Sequence, residues 1–595
     1  MTNIAYGLKK CKIPRFLELW GSRKMELLRI RLEKLFKEAI KNIRPDFEDW
    51  GKLVLQPATD EKFGDYQTNF AMTASKIFRL APKMIAENLI AAIPENDLTE
   101  KIEVAGPGFI NIFLKKEALA DTVRKTFTEK WDFSHINTDG TVVIDYSSPN
   151  IAKPMHVGHL RTTIIGDSIK RIMKFVGYNV IADNHLGDWG TQFGKLIVGW
   201  ERWLDKENFE KDPISELERI YIKFGDEAEK DPELEELART ELKKVQDGDE
   251  KNMALWKKFV DITLTECKKI YEYLGVNFDT YYGESFYHPI MPRVIDELVK
   301  KGLAVESEGA LVVFFDEKEN LHPCIVRKKD GAFLYATSDL ATIKYKYENY
   351  KMNKALYVTD DRQAVHFKQI FNIAERAGWK MEFVHIPFGV LSFNGEILKT
   401  RAGNTIKLAD LFKEAESKGL SVVEEKNPEL PTEEKRKIAK AVGIGALKYS
   451  DLSQNRTSNI DFSWEKALSF EGNTAPYLQY SYARVQSIKR KAAEKGITLD
   501  FNCRISLESE IVRSIAASVA RFPECVEKAA ELYKPNFIAD HIFDLVQKFG
   551  TFYNSTPILK AEPEKMQSRL LLAEAVARTI KTGLDLLGIE APEKM

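Results

Sequence analysis

Five cysteines are scattered along 595 residues, at Cys11, Cys267, Cys324, Cys503 and Cys525, and no two stand at a Cys-X-X-Cys spacing. That excludes a disulfide framework and a cysteine-built zinc site, and it points to a reducing cytoplasm. No apolar run reaches the roughly 20 residues needed to span a bilayer, so no membrane segment is expected. Net charge is also lacking: 88 basic residues face 89 acidic ones. A polyanionic partner would therefore need local basic faces. Two are visible, one of Arg484, Lys489, Arg490, Lys491 and Lys495, the other of Lys435, Arg436, Lys437, Lys440 and Lys448. Met1 to Lys24 carries no compact apolar stretch with a small-residue cleavage site, so it does not read as a secretory signal. It reads as a possible extension ahead of a helix beginning at Met25.

What is present suits a large globular chain, 44% hydrophobic and 30% charged, long enough for two to four domains. Residues 1–135 mix helical patterns with strands such as Ile102–Val104 and Phe109–Leu114, an α+β domain. Residues 136–455 alternate apolar strands (Val142–Asp145, Val180–Asp183, Ala355–Val358, Phe383–Phe388) with helices. The alternation predicts a Rossmann-like, doubly wound parallel sheet with ligands at the carboxyl ends of its strands. Between about 203 and 274 the strand signal stops, and the spacing predicts an amphipathic helix pair inserted into that domain. Strands end after Asp451, and residues 456–595 read as an all-α bundle.

The densest signal is Ser147-Ser148-Pro149-Asn150-Ile151-Ala152-Lys153-Pro154-Met155-His156-Val157-Gly158-His159, directly after the first strand. Two imidazoles three apart, with glycine before the second, open a helical pattern through Leu160, Ile164, Ile165, Ile169, Ile172 and Val176. Chance would give such a triplet roughly 0.008 times in this composition. Free N–H groups and the positive end of the dipole make a helix start a phosphate site, and neutral imidazole can donate to a phosphoryl oxygen as its charge grows. The block resembles the His-X-Gly-His element of class I aminoacyl-tRNA synthetases, in the form found in arginyl-tRNA synthetases.

That resemblance extends over most of the chain. Phe63–Asn69 and Ala105–Asn111 are similar to the family's N-terminal domain, which implies contact with the tRNA elbow. Asn473–Arg484, Phe552-Tyr553-Asn554 and the terminal Met595 are similar to its anticodon-binding bundle, implying Tyr477, Tyr480, Arg484 and Met595 as tRNA contacts. Aromatic and basic side chains together suit stacking on unpaired bases. Read without the family, each tyrosine is as readily a core aromatic.

The resemblance also implies a chemistry: L-arginine and ATP form arginyl-adenylate and pyrophosphate, and arginine then passes to the terminal adenosine of tRNA(Arg), the first step requiring bound tRNA. His156, Gly158, His159, His366 and Lys399 are implied at ATP, with His156, His159, Lys153 and Lys399 carrying catalysis. No protein metal site is expected; Mg2+ arrives with ATP. The family's Lys-Met-Ser-Lys-Ser loop is degenerate here, keeping Lys399 in Leu398–Thr405 without a second lysine in register. Lys153 can replace the missing charge, because a field depends on distance to the charge and not on its place in the chain. A guanidinium calls for a carboxylate fork. The family's pocket elements imply Glu284 and Asp339 for that fork, Tyr335 over the side chain, and Ser148, Asn150 and Gln363 at the amino-acid end. The family's default is a monomer. Two competitors stand beside this reading: a non-tRNA nucleotidylyltransferase that also uses His-X-Gly-His, and a non-catalytic RNA-binding relative.

Overall fold

Apolar side chains point to both faces of the strand Thr141–Asp145, and this strand organises the centre of the chain. Val142 and Ile144 join one core with Ile165 and Ile169, while Val143 joins another with Leu340, Phe367 and Ile370. A strand buried on both faces requires helices on both sides of a parallel sheet. The computed structural model, which describes residues 23–393, 395–397 and 406–595, has that arrangement. Four parallel strands lie in the order Glu382–Phe388, Met352–Asp360, Thr141–Asp145, Asn179–Asp183. The chain leaves Thr141–Asp145 through the helix Val157–Phe175 to one neighbouring strand, and a later segment supplies the other. Strand order therefore reverses beside Thr141–Asp145, opening a crevice at the carboxyl ends where the Ser147–His159 block begins.

The N-terminal part packs the helices Leu28–Ile43 and Pro82–Ala92 against an antiparallel sheet that contains Thr99–Ala105 and Phe109–Leu114. It docks on the helix Glu510–Leu532 through Arg29 to Glu527, Arg513 to Asp65 and the Tyr66 hydroxyl to Glu524. The C-terminal bundle comprises Ala475–Glu494, Glu510–Leu532, Asn536–Ser555 and Pro563–Leu586.

Four expectations need correction. Met25 lies in a short strand, Lys24–Glu26, paired with Lys130–Asp132, and the helix starts at Leu28. The insertion holds four helices after Trp203 and not a pair: Lys206–Lys211, Pro213–Ala228, Glu233–Asp247 and Glu250–Leu274. Asp205, Asp212 and Asp249 cap three of them, and the dense charge around these aspartates hid the breaks. Strands do not end at Asp451, because Ile460–Phe462 pairs with Leu391–Phe393. Lys448 belongs to no basic face; it is buried and donates to the carbonyls of Leu274 and Gly588. Lys399 and most of Met1 to Lys24 lie outside the described residues.

Arg161, buried one turn into the histidine helix, fastens it to the rest of the domain. Its guanidinium donates to both Asp451 oxygens at 2.7 and 3.0 Å, and to the carbonyls of Gly389, Ser458 and Arg456. Asp451→Ala would strand that charge, so a loss of about 3–5 kcal/mol is expected. A chemical-denaturation midpoint close to that of the unaltered protein would contradict this.

Candidate active site

Backbone strain is concentrated where the sheet meets the histidine helix: Ser147, Ser148 and Ala152 all have left-handed φ values, 75°, 46° and 61°. Non-glycine residues hold such angles only where the surroundings impose them. Here Ser147 N–H donates to Thr162, the Ser148 hydroxyl to Asp145 at 2.9 Å, and Ala152 N–H to Thr263. The loop delivers His156 as the helix N-cap.

The two histidines cap each other's backbone. His156 Nδ1 accepts the Gly158 N–H at 3.1 Å, and His159 Nδ1 accepts the His156 N–H at 3.2 Å. An imidazole accepting at Nδ1 carries its proton at Nε2, so each ring presents an Nε2–H donor. Burial, reinforced by Lys153, lowers the pKa of His156; burial and His156 push that of His159 down to about 3. Both rings are thus neutral donors at neutral pH, their centroids 4.1 Å apart. A Cβ at position 158 would lie 2.8 Å from His156 Cε1, so any larger residue there would displace the ring from its place over the Gly158 N–H. The Lys153 ammonium stands 4.7 Å from the centre of the Tyr221 ring, on the insertion. After the undescribed stretch the chain resumes beside His156, with Val157 N–H donating to Ile406 and Leu408 N–H to Met155.

A second group of side chains forms an acidic cluster. Asn150 lies across from Gly187, and the turn beyond Gly187 runs under the short helix Glu284–Tyr287. Glu284 is pushed up to about 8 by burial, then by the nearby carboxylates of Asp188 and Asp339, against the Trp189 N–H that favours its ionised form. Asp339 holds His366 Nε2 at 2.6 Å. Tyr335 stands at the rim, 74% exposed, close enough to feel the charge of Glu284. Gln363 is exposed at the end of the turn after Met352–Asp360.

Beneath both groups, Lys346 is buried between Asp145 and Asp183, which hold its proton although burial opposes them. Asp145, Asp183 and His185 are spaced like metal ligands, yet the Lys346 ammonium already forms ion pairs with the two carboxylates. That donor set suits a fixed lysine better than a resident metal ion.

Ser148, Asn150, Lys153, His156, Gly158 and His159 thus share one continuous segment, and the fold brings Glu284, Tyr335, Asp339 and His366 together in one cluster. Sequence reasoning missed several neighbours. Asp188 and Trp189 adjoin Glu284, and the insertion helix Glu250–Leu274 contributes Trp256 to the Asp188 carbonyl, Thr263 to Ala152 and Tyr271 to Ser147 and Asn184. The signal was available in Asn184-His185-Leu186-Gly187-Asp188-Trp189-Gly190, a polar, glycine-punctuated run at a strand's carboxyl end.

Far along the chain, a cleft of about 810 Å³ is lined by Tyr480, Arg484, Lys491, Tyr553 and Met595. The Arg484 guanidinium lies between the rings of Tyr480 and Tyr553, 4.8 Å from each. Tyr477 does not line this cleft; it packs edge-on against Phe543.

Family comparisons agree with this layout. Residues 122–464 match the model for "tRNA synthetases class I (R), catalytic domain", residues 31–114 the arginyl tRNA synthetase N terminal domain, and residues 478–595 the DALR anticodon binding domain. An arginine–tRNA ligase of Fusobacterium nucleatum is 54% identical over 571 residues, covering 96% of this chain and 100% of the relative. One from Clostridium beijerinckii is 44% identical, covering 93% and 98%. The crystal structure of the arginyl-tRNA synthetase from Plasmodium falciparum superposes with a TM-score of 0.82 at 28% identity, covering 96% of this chain and 100% of that one. Three domains, one nucleotide-type crevice and full-length likeness converge: the chain belongs to the arginyl-tRNA synthetase family.

Proposed function

We infer that this chain is an arginine–tRNA ligase. The observation that carries the reading is that a chain of this family holds both a buried acidic cluster, Glu284 with Asp339, and two neutral histidines with free Nε2–H donors at one helix start. An arginine carboxylate oxygen attacks the α-phosphorus of ATP, the bond to the bridging oxygen breaks, and pyrophosphate leaves. In the second step a ribose hydroxyl of the terminal tRNA adenosine attacks the arginyl carbonyl carbon and AMP departs. His156 and His159 donate to phosphate oxygens as negative charge builds, while the peptide N–H of Gly158 stays engaged with His156. Glu284 and Asp339 take the guanidinium beneath Tyr335, Ser148, Asn150 and Gln363 orient the amino-acid end, and His366 is oriented toward the nucleotide side by Asp339. Mg2+ enters as part of the ATP substrate.

Tyr480, Arg484 and Met595 contact the anticodon, with Tyr477 supporting them from the core, and the N-terminal domain meets the tRNA elbow. A monomer, the family's default, is the state that goes with this reading. No described helix is long and apolar enough to cross a membrane, and the four described cysteines are free, in keeping with a cytoplasmic enzyme. A non-tRNA nucleotidylyltransferase gains no support, because such a protein has no need of an anticodon-binding domain. The test is charging: purified protein should attach labelled arginine to tRNA(Arg) with ATP, and failure to charge any tRNA with arginine would refute the assignment.

Two further results are expected. Lys153→Ala should slow adenylate formation about 100-fold with tRNA affinity nearly unchanged, since the variant loses a cation of the phosphate site. Near-normal turnover would remove Lys153 from that role. The second concerns pH. Glu284 keeps its proton in the arginine-free pocket up to about 8. Guanidinium favours the carboxylate, so binding expels the proton, and the arginine KM should fall as pH rises from about 6 toward 8. The sign for stability is opposite. A carboxyl held protonated from its ordinary 4.5 up to about 8 makes the free enzyme less stable as pH rises through that window. An arginine KM flat across the range would contradict the protonated pocket.

A further inference from the structure

The short helix Glu284–Tyr287 begins at Gly283, a residue with no side chain to cap it. The cap comes from elsewhere in the chain. One carboxylate oxygen of Asp188 accepts the Ser285 N–H at 2.8 Å and the other accepts the Ser285 hydroxyl at 2.6 Å. Gly283 is glycine for the same reason, since a Cβ there would lie 2.2 Å from the Asp188 carboxylate carbon. Asp188 is 4% exposed, and its own carbonyl accepts the Trp256 indole N–H at 2.8 Å. Around it, Glu284 N–H donates to the Leu186 carbonyl at 3.0 Å, and the Trp189 N–H serves the Glu284 carboxylate.

We propose that Asp188 is a positioning residue for arginine recognition: by capping the Glu284 helix through Ser285 it fixes the direction of the Glu284 carboxylate and places a second negative charge beside it. Both its oxygens are engaged by Ser285, so a large part of its acceptor capacity is spent on the start of the Glu284 helix. This rests on the reading of Glu284 as a guanidinium ligand. A charge-assisted cap of this kind explains why a four-residue helix starting on glycine can present a buried acid in one orientation. It also supplies one of the two like charges that keep Glu284 protonated when arginine is absent. The groups facing Glu284 are Asp188 and Asp339, the latter paired with His366, together with the Tyr335 hydroxyl; His185 lies near Asp188.

The experiment is steady-state pyrophosphate exchange by the full chain with tRNA present, recording arginine KM, ATP KM and kcat from about pH 6 to 9. Asp188→Ala should raise the arginine KM about 30-fold, part of the loss of two hydrogen bonds to a charged group being passed on to arginine binding, while leaving the ATP KM within about twofold. Asp188→Asn keeps an acceptor for the Ser285 N–H and should recover most of that loss. Because Asp188→Asn removes the neighbouring charge, the fall in arginine KM should begin at lower pH, by about one unit. A purely structural role would not move that profile. Ser285→Ala, which keeps the main-chain bond, should raise the arginine KM about fivefold and stands in if Asp188→Ala does not fold. Glu284→Gln is measured alongside. An unchanged arginine KM in Glu284→Gln would overturn the pocket reading itself. If Glu284→Gln is impaired but Asp188→Asn keeps the original pH profile and the Asp188→Ala and Ser285→Ala variants keep the original arginine KM, the proposal for Asp188 is overturned. Equal rises in the arginine and ATP KM would likewise overturn it, since they would mark general disruption.

Discussion

Replacing His159 by alanine should slow arginyl-adenylate formation about 100- to 1,000-fold, the usual cost of removing one preorganised donor from a developing negative charge. The loss should fall on kcat, with the arginine KM changed only a few-fold, because the donor is needed most when the α-phosphate gains charge. The argument depends on proton placement. His159 Nδ1 is already taken by the His156 N–H, so only Nε2–H can face the phosphates, and burial with His156 alongside keeps the ring neutral. Alanine also removes the acceptor for that N–H, a capping loss of about 1 kcal/mol that would show as a modest drop in stability. Asparagine can accept that N–H, so His159→Asn should regain stability without regaining rate. If His159→Asn restored both, the ring would be a cap and nothing more.

Glu284→Gln should lower kcat/KM for arginine about 1,000-fold, chiefly through KM, because one face of a buried guanidinium would lose its charged partner. The ATP KM should hardly change, since the phosphate site proposed above lies on the histidine helix and not on Glu284. Glutamine cannot titrate, so the variant should also lose the dependence of arginine KM on pH between about 6 and 8. Lysine should gain on arginine as a substrate, because the carboxylate fork that penalises a smaller cation is half dismantled. A variant that binds arginine normally would place the guanidinium elsewhere.

The parts of this molecule legible in its sequence are those governed by local patterns. The alternation of apolar strands and helices predicts the parallel sheet, and the His-X-Gly-His block predicts a helix start with two rings on one edge. Resemblance to one family supplied Glu284, Tyr335 and Asp339, which the fold gathers at one pocket although they come from two separate segments of the chain. Long-range polar geometry stayed hidden. Nothing local to Asp188 shows that it caps a helix almost a hundred residues later, and nothing local to Lys448 shows that its ammonium is buried against two backbone carbonyls. Lys448 looked like surface charge because helical spacing cannot tell a solvated face from one covered by a distant element. The insertion was misjudged for a related reason: its caps are aspartates in a run already crowded with acids, and its helix Glu250–Leu274, whose apolar stripe was legible, reaches the site through the polar atoms of Trp256, Thr263 and Tyr271, which spacing does not single out. Tyr477 and Tyr480, three apart on one helix, divide between core and cleft, a distinction only packing could make.

The central claim is that the acidic pocket selects the amino acid that the histidine helix activates. It is tested most directly by ATP–pyrophosphate exchange with tRNA(Arg) present, comparing arginine with lysine. The account predicts exchange that depends on arginine, with kcat/KM about 10⁴-fold above that for lysine. Exchange without added arginine, or supported equally by lysine, would contradict it.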